Sequence, residues 1–379
     1  MDYAHPMKLM EMSLGGKYTT RDGESDFNSL IPINEENGNN KNGNNRFLNK
    51  QHIYTIYNSY NLKIKDWGIS LGARFEGTEN KANFYATNTE IKQRYSNLIP
   101  SFQLLKKFKN ISSVNLGYTQ RIQRPDINLM NPFVNKSDPT FYFVGNPDLS
   151  PVTNHTFSLG YSWFKKGFVN IGTNYSSARN TIQRVIELKE ENISYATYYN
   201  IGKDRRFDIN LNTNYPLTKA INLSLNGTVS YVNVNGSVQG AMYENDGMQG
   251  NAYMYINYSI PKIARISANL GYYSPTVILQ GSSNGYVYSS LSASKQLLKN
   301  KLTISGSVSN PFQKYRTVEN RIRTADFSQA HRYKNYFRNF SLNLSYNFGK
   351  LEKPIKKNKK GIKNEDKIEN IEKAEKGVN

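Results

Sequence analysis

Four histidines, His5, His52, His155 and His331, are the first residues that could do chemistry in this chain. An imidazole shuttles protons near neutral pH or ligates a metal, but only beside partners at fixed spacing. None of the four lies in an HExxH pair, and no GxSxG elbow presents a nucleophilic serine. They read as loop or interface residues. Asp22, Glu24 and Asp26 alternate like half a calcium loop, yet the glycine and distal glutamate of an EF-hand do not follow. These carboxylates read as a solvated loop. No cysteine is present, which excludes disulfides and thiolate metal sites. The sequence offers no catalytic residue, no cofactor site and no metal site, so it does not read as an enzyme.

The formal net charge is +20. A basic balance invites a nucleic-acid reading. Here the cations are dispersed through turns and loops, with no compact basic face, so no nucleic-acid partner is expected. Turn lysines such as Lys165, Lys166, Lys299 and Lys301 suit membrane phosphates or solvent. Ten lysines and six acidic residues crowd the stretch 350–379, which reads as a solvated tail.

The elements that must position everything else are strands. In Phe340-Ser341-Leu342-Asn343-Leu344-Ser345-Tyr346-Asn347-Phe348, every odd residue is apolar or aromatic and every even one is Ser or Asn. A period of two places these sets on opposite faces of a strand. The same alternation runs through Phe157–Trp163, Phe207–Tyr215, Ile221–Tyr231 and Ile266–Tyr272. A soluble sandwich usually carries charge on its wet face. Small neutral polar groups, strand after strand, suit a transmembrane β-barrel with lipid outside and a watery lumen inside. The mean hydropathy of -0.67 is compatible, because a barrel buries only alternate residues in lipid. No run of about 18 apolar residues encodes a transmembrane helix. Tyr161, Tyr175, Tyr215, Tyr231 and Tyr346 lie near strand ends and read as interfacial girdle residues. Asn210, Asn212, Asn222, Asn226 and Ser341 fall on the lumen face.

About 14 strands are expected, joined alternately by short turns and long polar loops, the usual asymmetry of an outer-membrane barrel. The long loops span 20–49, 79–93, 123–152, 181–203, 235–249, 277–284 and 312–333. The Asn/Gly-rich stretch 36–45 reads as a mobile loop tip. The fold class is all-β. Residues 1–349 form the barrel portion, followed by the charged tail 350–379.

The most distinctive stretch begins at Arg124-Pro125 and continues through Asn131-Pro132 and Asp138-Pro139. It ends with Gly145-Asn146-Pro147, Leu149 and Pro151. Its prolines fix φ and remove donors, so it is ordered but not strand. Together with Asn343–Lys350 at the last strand, it resembles the outer-membrane β-barrel family of TonB-dependent receptors, Bacteroidota type. That resemblance implies a larger barrel of about 22 strands, with a plug and a TonB-type coupling complex. It also implies outer-membrane lipid around the barrel and a scarce small nutrient as ligand. The loop motif is implied to be structural and surface-exposed, with no ligand-binding residue assigned. The stretch Met1–Pro6 lacks a signal-peptide pattern, and a chain beginning inside a longer protein is favoured. Two alternatives stay open: a self-standing 14-stranded passive pore, whose first strand pairs with Phe340–Phe348, and a surface-binding protein.

Overall fold

The structure is a computed structural model. It describes residues 2–29, 43–109, 111–189, 193–238, 240–324 and 327–348. The tail expected at 350–379 and most of the Asn/Gly-rich tip lie outside the described residues.

The first half holds β1 (Asp2–Pro6), β2 (Met10–Ser29), β3 (Gly43–Ile64), β4 (Trp67–Phe84), β5 (Thr89–Lys107), β6 (Ser112–Gln123), the single turn of helix α1 (Ile127–Met130), β7 (Asn135–Asp138), β8 (Phe141–Phe143) and β9 (Val152–Phe164). The second half holds β10 (Phe168–Leu188), β11 (Ser194–Pro216), β12 (Ile221–Val238), β13 (Ala241–Ile260), β14 (Ala264–Tyr273), β15 (Thr276–Ile278), β16 (Gly281–Ser283), β17 (Tyr286–Leu297), β18 (Leu302–Ser309), β19 (Tyr315–Arg323), β20 (Ser328–Tyr336) and β21 (Asn339–Tyr346).

One 17-stranded sheet contains β1–β14, β17, β18 and β21. Its long strands form an antiparallel meander in which each pairs with the next: β2–β3–β4–β5–β6–β9–β10. The meander continues β10–β11–β12–β13–β14–β17–β18–β21. Fourteen such strands are described, matching the expected number. β1 extends the sheet beyond β2. Among the described residues, no ladder joins β1 or β2 to β21. The sheet is open, so the first-to-last pairing that a self-standing pore requires is not formed.

The ladders separate two faces. One row reads Leu223, Ile256, Ala268, Leu291, Val308 and Phe340 across β12, β13, β14, β17, β18 and β21. One residue along, the opposite face reads Asn222, Asn257, Ser267, Ser292, Ser307 and Ser341. Leu270, Leu291, Phe340 and Leu342 stand exposed, which in water would be unfavourable and in lipid is the favoured state. On β11 the apolar face runs from Tyr215 to Phe207. At a rise of about 3.4 Å per residue and a tilt near 40°, it is about 21 Å tall, close to the usual apolar band. Tyr161, Tyr175, Tyr231 and Tyr346 are exposed on this face, as girdle residues should be.

The face assignment makes a direct prediction, because no native cysteine interferes. Ser307→Cys should react with a bulky hydrophilic maleimide, and Leu291→Cys should not. A slip of one residue in register would exchange the two results.

Short turns lie at 65–66, 108–109, 165–167, 217–220, 261–263 and 298–301, in the expected alternation with long connections. The long loops need correcting. Residues 79–84 and 89–93 continue β4 and β5, 181–188 and 194–203 continue β10 and β11, and 235–238 and 241–249 continue β12 and β13. The strands outrun the membrane as hairpins whose outer face turns polar, while their inner face carries buried apolar residues such as Phe84, Ile91 and Ile186. Asp22, Glu24 and Asp26 likewise lie on β2, spaced by two on one face, rather than in a loop. Glu24 accepts from Arg46 across the ladder at 3.0 Å.

Candidate functional site: a loop folded onto the inner face

The polar face of β4 departs from neutrality at Arg74 and Glu76. Arg74 pairs with Glu76 at 2.9 Å. The second oxygen of Glu76 accepts from Arg124 at 2.7 Å, and the side chains of Glu76 and Arg124 are each only 2% exposed. Arg124 also donates to the Thr78 hydroxyl at 2.9 Å. Its guanidinium sits 5.8 Å from the Tyr95 ring centre. Buried charges must be paired. This cluster fastens the start of the 124–151 loop to the inner face of the sheet.

The rest of the loop follows from its sequence. Pro125 leads into Asp126, whose carboxylate caps α1 by accepting from the Asn128 amide at 2.9 Å. Leu129 and Met130 are buried. The Asn131 side chain accepts from Phe133 N at 3.1 Å, and its carbonyl accepts from Gly145 N at 2.8 Å. Asn146 N donates to Leu129 O at 2.7 Å. The Asn146 amide donates to Tyr198 O on β11 at 2.8 Å, while its oxygen accepts from Asp148 N at 2.9 Å. Leu149 is fully buried, and its carbonyl accepts from Gln93 on β5 at 2.8 Å. Asn200 on β11 brackets Ser150, accepting from its amide at 2.8 Å and donating to its carbonyl at 3.0 Å. Pro132, Pro139, Pro147 and Pro151 stiffen the bends between these anchors. At Asp138, the Thr140 amide and hydroxyl both donate to the carboxylate and hold its pKa below the ordinary carboxylate value.

The motif residues Arg124, Asn131, Gly145, Asn146 and Leu149 are thus brought together, and most face inward. The expectation of a surface-exposed loop is corrected: Leu129, Met130 and Leu149 pack with Phe47, Ala82, Phe84 and Ile91 of β3–β5, and with Ile182 and Tyr198 of β10 and β11. Strands six ladders apart meet on one loop, so the sheet curls around it. Short β8 extends the contact by pairing parallel with β11 at Ser194–Ala196. A cleft of ≈ 570 Å³ remains between Gly145–Ser150 and Thr197–Ile201, lined by Asn146, Asp148, Ser150, Tyr199 and Asn200.

The chain also forms a second, four-stranded sheet, β15-β16-β19-β20, which caps the extended strands as a lid. Gln280 accepts from Ile186 N at 2.8 Å, and Asn245 donates to Ile278 O and Gly281 O at 2.7 and 2.8 Å. Within this lid Glu319 accepts from Arg321 and, at 2.8 Å, from Arg332, and both lower its pKa. A lowered pKa in the folded state adds stability above the unfolded value, about 4.3, and that contribution is lost as pH falls through the folded value. A carboxyl NMR titration should therefore place the Glu319 midpoint below about 4.3. Removing the two arginines should return it to that value.

Expected lumen residues lie on the inner face: Asn210 accepts from Thr228 at 2.8 Å, Asn226 stands opposite Asn212, and Ser341 meets Ser307 at 2.7 Å. The histidines of the long strands lie outside. His52 hydrogen-bonds Tyr18 at 2.7 Å, and His155 hydrogen-bonds Tyr118 at 3.0 Å. Among the described residues, no cluster of His, Asp or Glu could hold a metal. Glu76, Gln93, Tyr198 and Asn200 were not singled out from the sequence. The signal available was the Arg74–Glu76 charge on the otherwise neutral polar face of β4.

Several solved barrels share this fold. The ferric yersiniabactin uptake receptor FyuA of Yersinia pestis aligns at TM-score 0.63 and 13% identity, over 92% of this chain and 53% of its own. The siderophore receptor PiuA of Acinetobacter baumannii aligns at 0.63 and 13%, over 90% and 54%. The ferric-catecholate import receptor Fiu of E. coli aligns at 0.61 and 13%, over 92% and 53%. This chain spans about half the length of each of these receptors. No curated protein sequence matches it. A family described as "Outer membrane protein beta-barrel family" matches residues 1–346. With lipid-facing rows on one side of its strands and neutral polar rows on the other, this chain belongs to that family and resides in the bacterial outer membrane.

Proposed function

We propose that residues 1–349 are the C-terminal barrel portion of a TonB-dependent receptor that imports a scarce small nutrient, and that residues 350–379 are an appended charged tail. The observation that carries this is the open sheet, whose neutral polar inner face is already occupied at one end by a docked loop. Such a wall needs further strands to close it and a gate to make it selective. Likeness to barrels of about twice this length, siderophore receptors among them, supports the same reading. In the intact receptor a plug would fill the lumen, and a TonB-type complex would supply the energy to move it. The motif residues Arg124, Asn131, Gly145 and Asn146 would hold the loop, while the ligand would meet the hairpin tips and the cleft beside Asn200. The protein would act by binding and passage, without covalent chemistry.

The decisive measurement is the mass of the native polypeptide in the outer-membrane fraction, followed by nutrient uptake with and without a proton gradient. A species roughly twice 43.4 kDa, with gradient-dependent uptake, is the expected result. A native species near 43.4 kDa with gradient-independent conductance would overturn it.

A further inference from the structure

Above the apolar band, the outer face differs from one arc of the sheet to the other. On β2–β5 the cations have carboxylates beside them, although Lys50, Lys81 and Lys92 stand opposite one another in one row, with Asp22 opposite Lys50. Arg46 meets Glu24 at 3.0 Å, Lys81 and Lys92 share Glu90 at 3.0 and 2.8 Å, and Arg94 meets Glu79 at 3.1 Å. On β9–β12 the boundary is sharp. The last lipid-facing row is Phe157, Tyr175, Phe207 and Tyr231. The row above reads His155, Ser177, Arg205 and Asn233, and the next carries Arg179, Lys203 and Asn235. Arg179, Lys203 and Arg205 are all exposed. Arg179 stands directly opposite Lys203, and Arg205 lies two residues along the same face. Opposed side chains start about 4.5–5.5 Å apart and diagonal ones about 7–8 Å, so three cations converge on one patch. Like charges facing each other on a ladder are destabilising. The carboxylates in these rows beyond β12 are Asp246 and Glu244, and they already accept from Tyr231 at 2.8 Å and from Asn233 at 2.9 Å.

We propose that Arg179, Lys203 and Arg205 form a site on the outer wall for the phosphate groups of an outer-leaflet lipid. The patch lies one step above aromatic side chains suited to the membrane interface, which is where headgroup phosphates sit. Two guanidinium forks and an ammonium match phosphate oxygens in geometry and charge. A lipid there offsets the repulsion between Arg179 and Lys203, which stand opposed on the ladder. On β2–β5 the chain's own carboxylates answer the cations, Glu90 for Lys81 and Lys92, Glu79 for Arg94 and Asp22 opposite Lys50, so lipid should be held preferentially on the β9–β12 side of the wall.

The test uses the full-length polypeptide purified from the outer membrane and reads the lipid it retains, after exchange into vesicles of phosphorylated or dephosphorylated lipid. Wild-type protein should retain the phosphorylated lipid preferentially. The variant R179Q/K203Q/R205Q should lose at least about tenfold of that retention. The variant K50Q/K92Q/R94Q should keep it. Equal retention of both lipids by wild-type protein would overturn the proposal without reference to any variant. So would unchanged retention in the first variant, or an equal loss in the second. Displacement of the lipid by millimolar inorganic phosphate would also overturn it, by assigning the site to a free anion.

Discussion

Replacing Arg124 with methionine is expected to release the 124–151 loop from the inner face and destabilise the protein by about 3 kcal/mol. The cause is the group left behind. Glu76 is 2% exposed, and without Arg124 one of its oxygens faces a closed interior with no cation. Breaking a buried pair from one side typically costs about 3–5 kcal/mol, and the lower end applies because Arg74 still holds the other oxygen. Removing both partners, in Arg124→Met with Glu76→Leu, should recover part of the loss, because the charge left without a partner is then Arg74, which is 28% exposed and reaches water. Thermal unfolding of the membrane-reconstituted protein reads the first effect. Protease cleavage within 124–151 reads the loop itself. A single variant as stable and as protected as wild type would show that the pair is not the latch.

Gly145→Ala should cost about 2–3 kcal/mol by a different route. A Cβ at this position would sit 2.5 Å from Asn131 O, 2.6 Å from Asn131 N and 2.7 Å from Leu129 O. All three are backbone atoms, so no side chain can swing aside. The loop must open, and the bonds from Gly145 N to Asn131 O and from Asn146 N to Leu129 O are lost with it. Gly77→Ala is the matched control, because nothing lies within 4 Å of its Cβ position. Equal melting temperatures for the two variants would contradict the close approach.

Much of this was legible in the sequence, for a physical reason. A strand with lipid on one side and water on the other must alternate, and Phe340–Phe348 or Phe207–Tyr215 can be read directly. Short turns were legible because Lys65-Asp66 or Lys166-Gly167 interrupts the alternation abruptly. The hairpins beyond the membrane were not, because there the outer face turns polar, as at Asn233, Asn235, Glu244 and Asp246, while apolar residues such as Val234 move to the inner face, so the alternation that marks the membrane-spanning part is lost. The docked loop was half legible. Its prolines, and the family it resembles, marked Arg124–Pro151 as ordered. Its partners Glu76, Gln93, Tyr198 and Asn200 lie roughly fifty residues away in sequence, beyond any local pattern. Phe47, Phe84 and Ile91 did carry a hint, being large apolar residues within stretches read as solvated loops.

The docked loop also implies an order of events during assembly. Every long strand pairs with its chain neighbour, so the wall can be laid down one hairpin after another, with only short closures to make. The loop cannot follow that schedule. Arg124 needs only β4, but Asn146 and Ser150 need β11, which lies on the far side of the curl. The loop is therefore held at both ends only when both arcs are in place. Its final hydrogen bonds form only on a wall whose curvature is already correct, which makes their formation a checkpoint on assembly.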